Sequence, residues 1–237
     1  MGFDCVSRTH PGLKRKVNED SILVRTDRGL WAVADGMGGH EAGDVASAKV
    51  VEALSLVPPH SALESFVADT ISALKAANSE LIRLAQSVHR PRTIGTTIVG
   101  LVISEGRFGC FWAGDSRAYR IREGEIAQLT RDHSLVQGLV DAGMLDPAEA
   151  ETHPNANVVT RAVGATETLE VDTSAGDARA GDTFLLASDG LTRVMTDEEI
   201  YAELTALPGE EAADSLLQTV LSRGAPDNVS MILVRIT

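Results

Sequence analysis

Apolar positions recur along the chain with two different periods, and the change of period divides it. Between 42 and 56, Val45, Ala48, Val51 and Leu54 recur at helical spacing. A longer helix is expected after Pro58-Pro59, with Ser61 as N-cap and Leu63, Val67, Leu74, Leu81 and Val88 on one face. Arg90-Pro91 lies just past its end. Short strand-like runs follow at 95–103, 107–112, 117–121 and 126–129, separated by the turn-rich SEG, AGDS and REGE, which reads as an antiparallel meander. TFLLA (183–187) has the composition of a buried strand, 197–204 and 210–221 read as amphipathic helices, and NVSMILVRI (228–236) as a last strand. With strand-like SILV (21–24) and WAVA (31–34) near the start, this order argues against a regular βαβ parallel sheet. It predicts a layered α+β domain, with helices packed outside antiparallel sheets.

No repeat, low-complexity tract or linker-like shift in composition interrupts 1–237, so a single domain is expected. The weakly patterned stretch at about 132–168, with Gly143, Pro147 and Pro154, reads as an excursion that covers or edges a site.

Composition narrows the function classes. Hydrophobic residues make up 43% and charged residues 23%, as in a soluble globular protein with a sizeable core. With 34 acidic against 21 basic residues the net charge is −13, which argues against a nucleic-acid partner. Excess carboxylate serves either solubility or the holding of cations, and net charge alone does not choose. Cys5 and Cys110 are too few for a disulfide framework and lack zinc-ligand spacing, so both read as free thiols of a reducing compartment. Val6 stands where a myristoylation motif wants Ser or Thr, and no apolar run nears the roughly 20 residues of a membrane span. A cytoplasmic monomer without membrane or nucleic-acid partners is the expectation.

The acidic residues are not scattered. Glu19-Asp20 precedes SILV, Asp35-Gly36 follows WAVA, Asp115 follows CFWAG, Asp189-Gly190 follows FLLAS, and Asp227 precedes NVSMILV. Each carboxylate lies at the mouth of an apolar strand, where side chains from different strands can converge. Mg²⁺ and Mn²⁺ take carboxylates, carbonyls and waters as ligands, and glycine beside an aspartate permits close approach to the backbone. Asp-Gly and Asp-Asn are also ordinary turn dipeptides, so position alone leaves a metal site and a set of turns both open. Arg15, in the basic cluster 14–16, offers a fork suited to two phosphate oxygens, or is simply a solvated loop residue.

Taken in order, RKVNED (15–20), VADGMGGH (33–40), GTT (95–97), AGDSRAY (113–119), LTRDHS (129–134), ASDGL (187–191) and PDNVSMILV (226–234) resemble the motifs of the bacterial type 2C metal-dependent serine/threonine protein phosphatases. The resemblance runs from about residue 3 to the end. It implies a four-layer α-β-β-α sandwich with a Mn²⁺ or Mg²⁺ centre at one end. Asp35 would bridge two core ions, the Gly36 carbonyl would bind one, and Asp189 and Asp227 would complete the other. Glu19 and Asp20 would act through water, and Asp115 with Asp189 would match a third, weaker metal position. Arg15 would hold the substrate phosphate, and a metal-bridging hydroxide would attack phosphorus directly. Segment 132–168 would be the flap.

One departure concerns the general acid. Met37 stands where some relatives carry a histidine, which leaves His40 or water to protonate the leaving alkoxide. The substrates implied are phosphorylated proteins, including a serine/threonine kinase or its targets. Competing readings are a phosphoprotein-binding pseudophosphatase, which loss of Arg15 or of a metal carboxylate would favour, and a stress-regulator phosphatase.

Overall fold

A computed structural model describes residues 1–38, 42–87 and 94–237. Strands β1 (Phe3–His10), β7 (Arg117–Arg122), β8 (Glu125–Gln128), β10 (Thr183–Ala187) and β11 (Val229–Ile236) form one antiparallel sheet in the order β1-β11-β10-β7-β8. The second contains β2 (Asp20–Arg25), β3 (Leu30–Met37), β5 (Ile98–Ser104), β6 (Arg107–Ala113) and β9 (Asp172–Asp177) in that order, with the two-residue β4 (Gly95–Thr96) also paired to β3.

The strand period of two sorts side chains into separate cores. From β3, Trp31 and Val33 enter the space between the sheets, where they join Phe108, Trp112, Phe184, Leu186 and Ile232. Leu30, Ala32 and Ala34 face the other way, onto α1 (Gly43–Ser55) and α2 (Leu63–Ser87). On the far side Leu185, Met231 and Leu233 pack beneath α5 (Asp197–Ala206) and α6 (Gly209–Ser222). Three apolar cores between four layers make an α-β-β-α sandwich. Central strands such as β3 and β10 are covered on both faces, which is why they read as continuous apolar runs.

Several sequence expectations change. The runs at 95–129 are not one meander: β5 and β6 lie in one sheet, β7 and β8 in the other. Gly114, at φ +132°, bends the chain between them through backbone space that a side chain would forbid. The face of α1 is rotated from the one expected. Ala46, Ser47, Val50 and Leu54 are buried, whereas Val45 and Ala48 are exposed. Ser47 is tolerated inside because its hydroxyl donates to the Glu19 carbonyl at 2.6 Å. In α2 the first-turn bond runs from the Phe66 N–H to Ala62, so the helix starts one residue later than a Ser61 cap requires. Leu63, Leu74 and Leu81 are buried as expected; Val88 and 90–91 lie outside the described residues.

The excursion is more ordered than its pattern suggested. It contains α3 (Leu135–Asp141), capped by Ser134, and a short 3-10 turn at Pro147–Glu149. Bridges Ser134–Val159 and Thr96–Val163 tie it to itself and to β4. No helix among the described residues is long and apolar enough to cross a membrane.

Candidate metal centre

Both sheets contribute to one end of the sandwich. Asp20 opens β2 and Asp35 lies near the end of β3, directly opposite each other in the ladder. Asp115 sits in the turn from β6 to β7, and Asp189 opens the four-residue helix α4 (Asp189–Thr192) immediately after β10. Asp227 precedes β11 and Glu19 precedes β2. Glu19, Asp35, Gly36, Asp115, Asp189 and Asp227 line a cleft of about 750 Å³, with Arg15 at its wall.

Local chemistry fixes these positions. The Asp35 carbonyl accepts from the Thr97 N–H and the Thr96 hydroxyl, both at 2.8 Å, and its N–H donates to Thr97 Oγ1. Asn228 accepts from the Glu19 N–H at 2.8 Å and donates to the Pro11 and Val17 carbonyls, clamping the loop that carries Arg15 onto the start of β11. Ser188, fully buried, donates to Asp20 Oδ2 at 3.0 Å. A side chain at Gly36 would put its Cβ 2.2 Å from the Gly43 carbonyl oxygen, and one at Gly190 would lie 1.9 Å from that of Asn228. A side chain has no room beside either aspartate because the chain's own backbone packs there, while Gly36 and Gly190 also line the cleft and leave their backbone open to a ligand, as the sequence suggested.

The electrostatics are those of a site short of positive charge. Like charges directly opposite in a ladder repel, and Asp20 and Asp35 are such a pair. Burial raises the Asp20 carboxyl to about 6, helped by Asp227. Asp35 is pushed well above the usual carboxylate range by burial and by Asp189, Asp20 and Asp115. Burial raises Asp115 to about 6, and it also lifts Asp189 and Glu19. Asp20 Oδ1 is buried without a hydrogen-bond partner among the described residues.

Three of these carboxylates already have a cation. Arg15 forks Asp227 at 2.9 and 2.7 Å. Arg193 reaches Asp115 and Asp189, each at 2.9 Å. With acidic groups turned to these arginines, no three His, Cys, Asp or Glu side chains among the described residues are gathered as a set that could hold a metal ion without rearranging. Among the described residues Asp20 and Asp35 have no ion-pair partner: Arg15 and Arg193 pair with Asp227, Asp115 and Asp189 instead. The crowded, oxygen-only donor set with an orphaned carboxylate oxygen fits hard divalent ions at Asp35, Asp20, Asp189, Asp227 and Glu19.

Of the residues singled out from sequence, His40 lies outside the described residues. Met37 is half-buried at the end of β3, beside the cleft. His133 is a structural pin: its Nδ1 accepts from the Gly114 N–H, and its ring stacks on Trp112. Cys110 is fully buried, its thiol pushed up to about 12. Sequence reasoning gave no role to Arg193, Asn228 or Ser188. The one available signal for Arg193 was its place four residues after Asp189, one helical turn on.

Comparison with known proteins agrees with this architecture. Residues 13–235 match the family described as Protein phosphatase 2C. The serine/threonine protein phosphatase PstP of Mycobacterium tuberculosis is 37% identical over 96% of the chain; the chain spans 44% of that protein's length. Among solved structures, PppA, described as a key regulatory component of T6SS in Pseudomonas aeruginosa, superposes with a TM-score of 0.91 at 40% identity, covering 100% of this chain and 99% of that one. The catalytic domain of PstP in complex with two manganese ions gives a TM-score of 0.89 at 35% identity, covering 99% of each chain. This chain belongs to the protein phosphatase 2C family.

Proposed function

We propose that this chain is a metal-dependent protein serine/threonine phosphatase, with 1–237 as one catalytic domain and 132–168 as its flap. The observation that carries the reading is the Asp20–Asp35 pair, opposed across the β2–β3 ladder and without an ion-pair partner among the described residues. Asp35, the Gly36 carbonyl, Asp189 and Asp227 would hold the core ions, with Asp20 and Glu19 acting through water. Mn²⁺ or Mg²⁺ there would supply the Lewis acidity that makes water nucleophilic near neutral pH.

The chain's own groups do the rest. Arg15, whose fork holds Asp227 at the cleft wall, would turn that fork to two phosphoryl oxygens when Asp227 serves the core ions, orienting the ester and offsetting the charge that develops on it. Neither Cys110 nor Ser188 offers a nucleophile to the cleft: one is buried with a raised thiol, and the other is fully buried and bonded to Asp20. Both observations accord with the direct attack by water, with no covalent enzyme intermediate, that the resemblance implies. Met37 has no proton to give, so the leaving alkoxide takes one from His40 or from water. The substrates are phosphorylated proteins, including a serine/threonine kinase or its targets.

The test is hydrolysis of a phosphothreonine peptide with Mn²⁺, with EDTA, and by Asp35→Asn. Expected is turnover with Mn²⁺ that is lost in both controls. A folded wild type that binds the phosphopeptide but never turns it over, across Mn²⁺ and Mg²⁺ concentrations, would instead establish a pseudophosphatase.

A further inference from the structure

Arg193 stands where the family resemblance leads one to expect a metal ion. It caps the C-terminus of α4, and its N–H bonds back to the Asp189 carbonyl, so its backbone is fixed one turn from that aspartate. The guanidinium Nη2 lies 2.9 Å from Asp115 Oδ2 and Nε lies 2.9 Å from Asp189 Oδ2. Asp115 is only 4% exposed. The same Nη2 donates to the Ala156 carbonyl at 3.1 Å, within the 132–168 segment. One side chain thus joins both carboxylates of the third metal position to the proposed flap.

We propose that the Arg193 guanidinium is a built-in replacement for the third metal ion, so that this chain binds two divalent ions and anchors its flap with a protein cation. This rests on the metal-centre reading above. A third ion does not fit between them, because one planar, permanently charged group already bridges the oxygens it would need, Asp115 Oδ2 and Asp189 Oδ2, whereas Asp189 keeps Oδ1 for the core ions. A divalent ion between Asp115 and Asp189 would lie against a like charge that cannot be removed by deprotonation. The guanidinium satisfies Asp115 with a charge-assisted hydrogen bond, as a buried carboxylate requires. It also holds Ala156 whatever the metal concentration, which a weakly bound ion would not do.

The experiment is Mn²⁺ stoichiometry by isothermal titration calorimetry and by elemental analysis after equilibrium dialysis, from micromolar to millimolar metal. The proteins are wild type, Asp115→Asn, Arg193→Asp, and Asp115→Asn combined with Arg193→Asp, each checked by thermal melting. Expected are two equivalents for wild type and for Asp115→Asn. Arg193→Asp should gain a weak third equivalent that the double variant loses again. A third equivalent in wild type that disappears in Asp115→Asn overturns the proposal, as does a folded Arg193→Asp that gains none. If Arg193→Asp does not fold, wild type and Asp115→Asn decide between two equivalents and three. Fewer than two in wild type sinks the two-metal reading itself, and this inference with it.

Discussion

The Ser188 hydroxyl donates to Asp20 Oδ2 and accepts from the Ser230 N–H at 2.9 Å, so it orients a carboxylate from β2 against the backbone of β11. Among the described residues Asp20 Oδ1 has no partner, and Ser188 fixes the other oxygen of that side chain. Removing a residue that orients a metal-binding group typically lowers metal affinity or activity by about 10–100-fold. Ser188→Ala should therefore weaken Mn²⁺ binding by about that factor, read by calorimetry, while the protein still melts cooperatively. An unchanged isotherm would confine Ser188 to a backbone role. At this scale the site was half legible in the sequence. Aspartates at strand mouths stand out because nothing else in an apolar run is charged. Ser188 and Asn228 look like turn residues, and Arg193 like a solvated helix end, because their partners lie 168, 209 and 78 residues away.

Thr196 caps α5 in a reciprocal box: its hydroxyl accepts from the Glu199 N–H, and the Glu199 carboxylate accepts from the Thr196 N–H. Thr196→Ala removes one side of the box at a cost of about 1 kcal/mol. In a chain of this size that should lower the melting temperature by about 2–4 °C, while Mn²⁺ stoichiometry stays as in wild type. A melting temperature equal to that of wild type would mean that Glu199, also paired with Arg223, holds the helix end alone. Most elements that could be read from sequence share a property with α5, a buried face that imposes its period; β8, with no buried residue, was marked instead by the turn before it. Those missed have no such face. β1 and β9 are the outer strands of their sheets, with Val6 the only buried residue of β1 and none in β9. Edge positions tolerate the polar sequences FDCVSRTH and DTSAGD. The rotated face of α1 was missed for the opposite reason. A buried serine, satisfied by the Glu19 carbonyl, interrupts the apolar stripe that would have marked it.

Across the whole molecule, the centre exists only when the sandwich is closed. Asp20 and Asp35 come from one sheet, Asp189 and Asp227 flank strands of the other, and Asp115 lies on the turn that crosses between them. Metal binding should accordingly stabilise the entire fold, because an ion bound to the native state alone draws the equilibrium toward it. The pH dependence follows from the same carboxylates. Burial holds Asp20 and Asp115 near 6, against 3.8 for an ordinary aspartate. Such a group keeps its proton in the folded chain over a range where the unfolded chain has lost it. Its contribution is fully present below about pH 4 and is lost as pH rises through about 6. In EDTA these groups therefore favour the fold on acidification, whereas His133, lowered by burial, opposes it as its ring is forced to protonate. Mn²⁺ competes with the protons of the raised core carboxyls Asp20, Asp35 and Asp189, so the quantity to measure is the rise in melting temperature that the metal produces. His133 lies outside the centre and Asp115 is held by Arg193, outside the ion positions, so both cancel in that difference. The rise should be large at about pH 7.5 and shrink steadily as pH falls through about 6 toward 5. A metal-induced rise that stays flat over this range would mean that the ions are not held by these buried carboxylates.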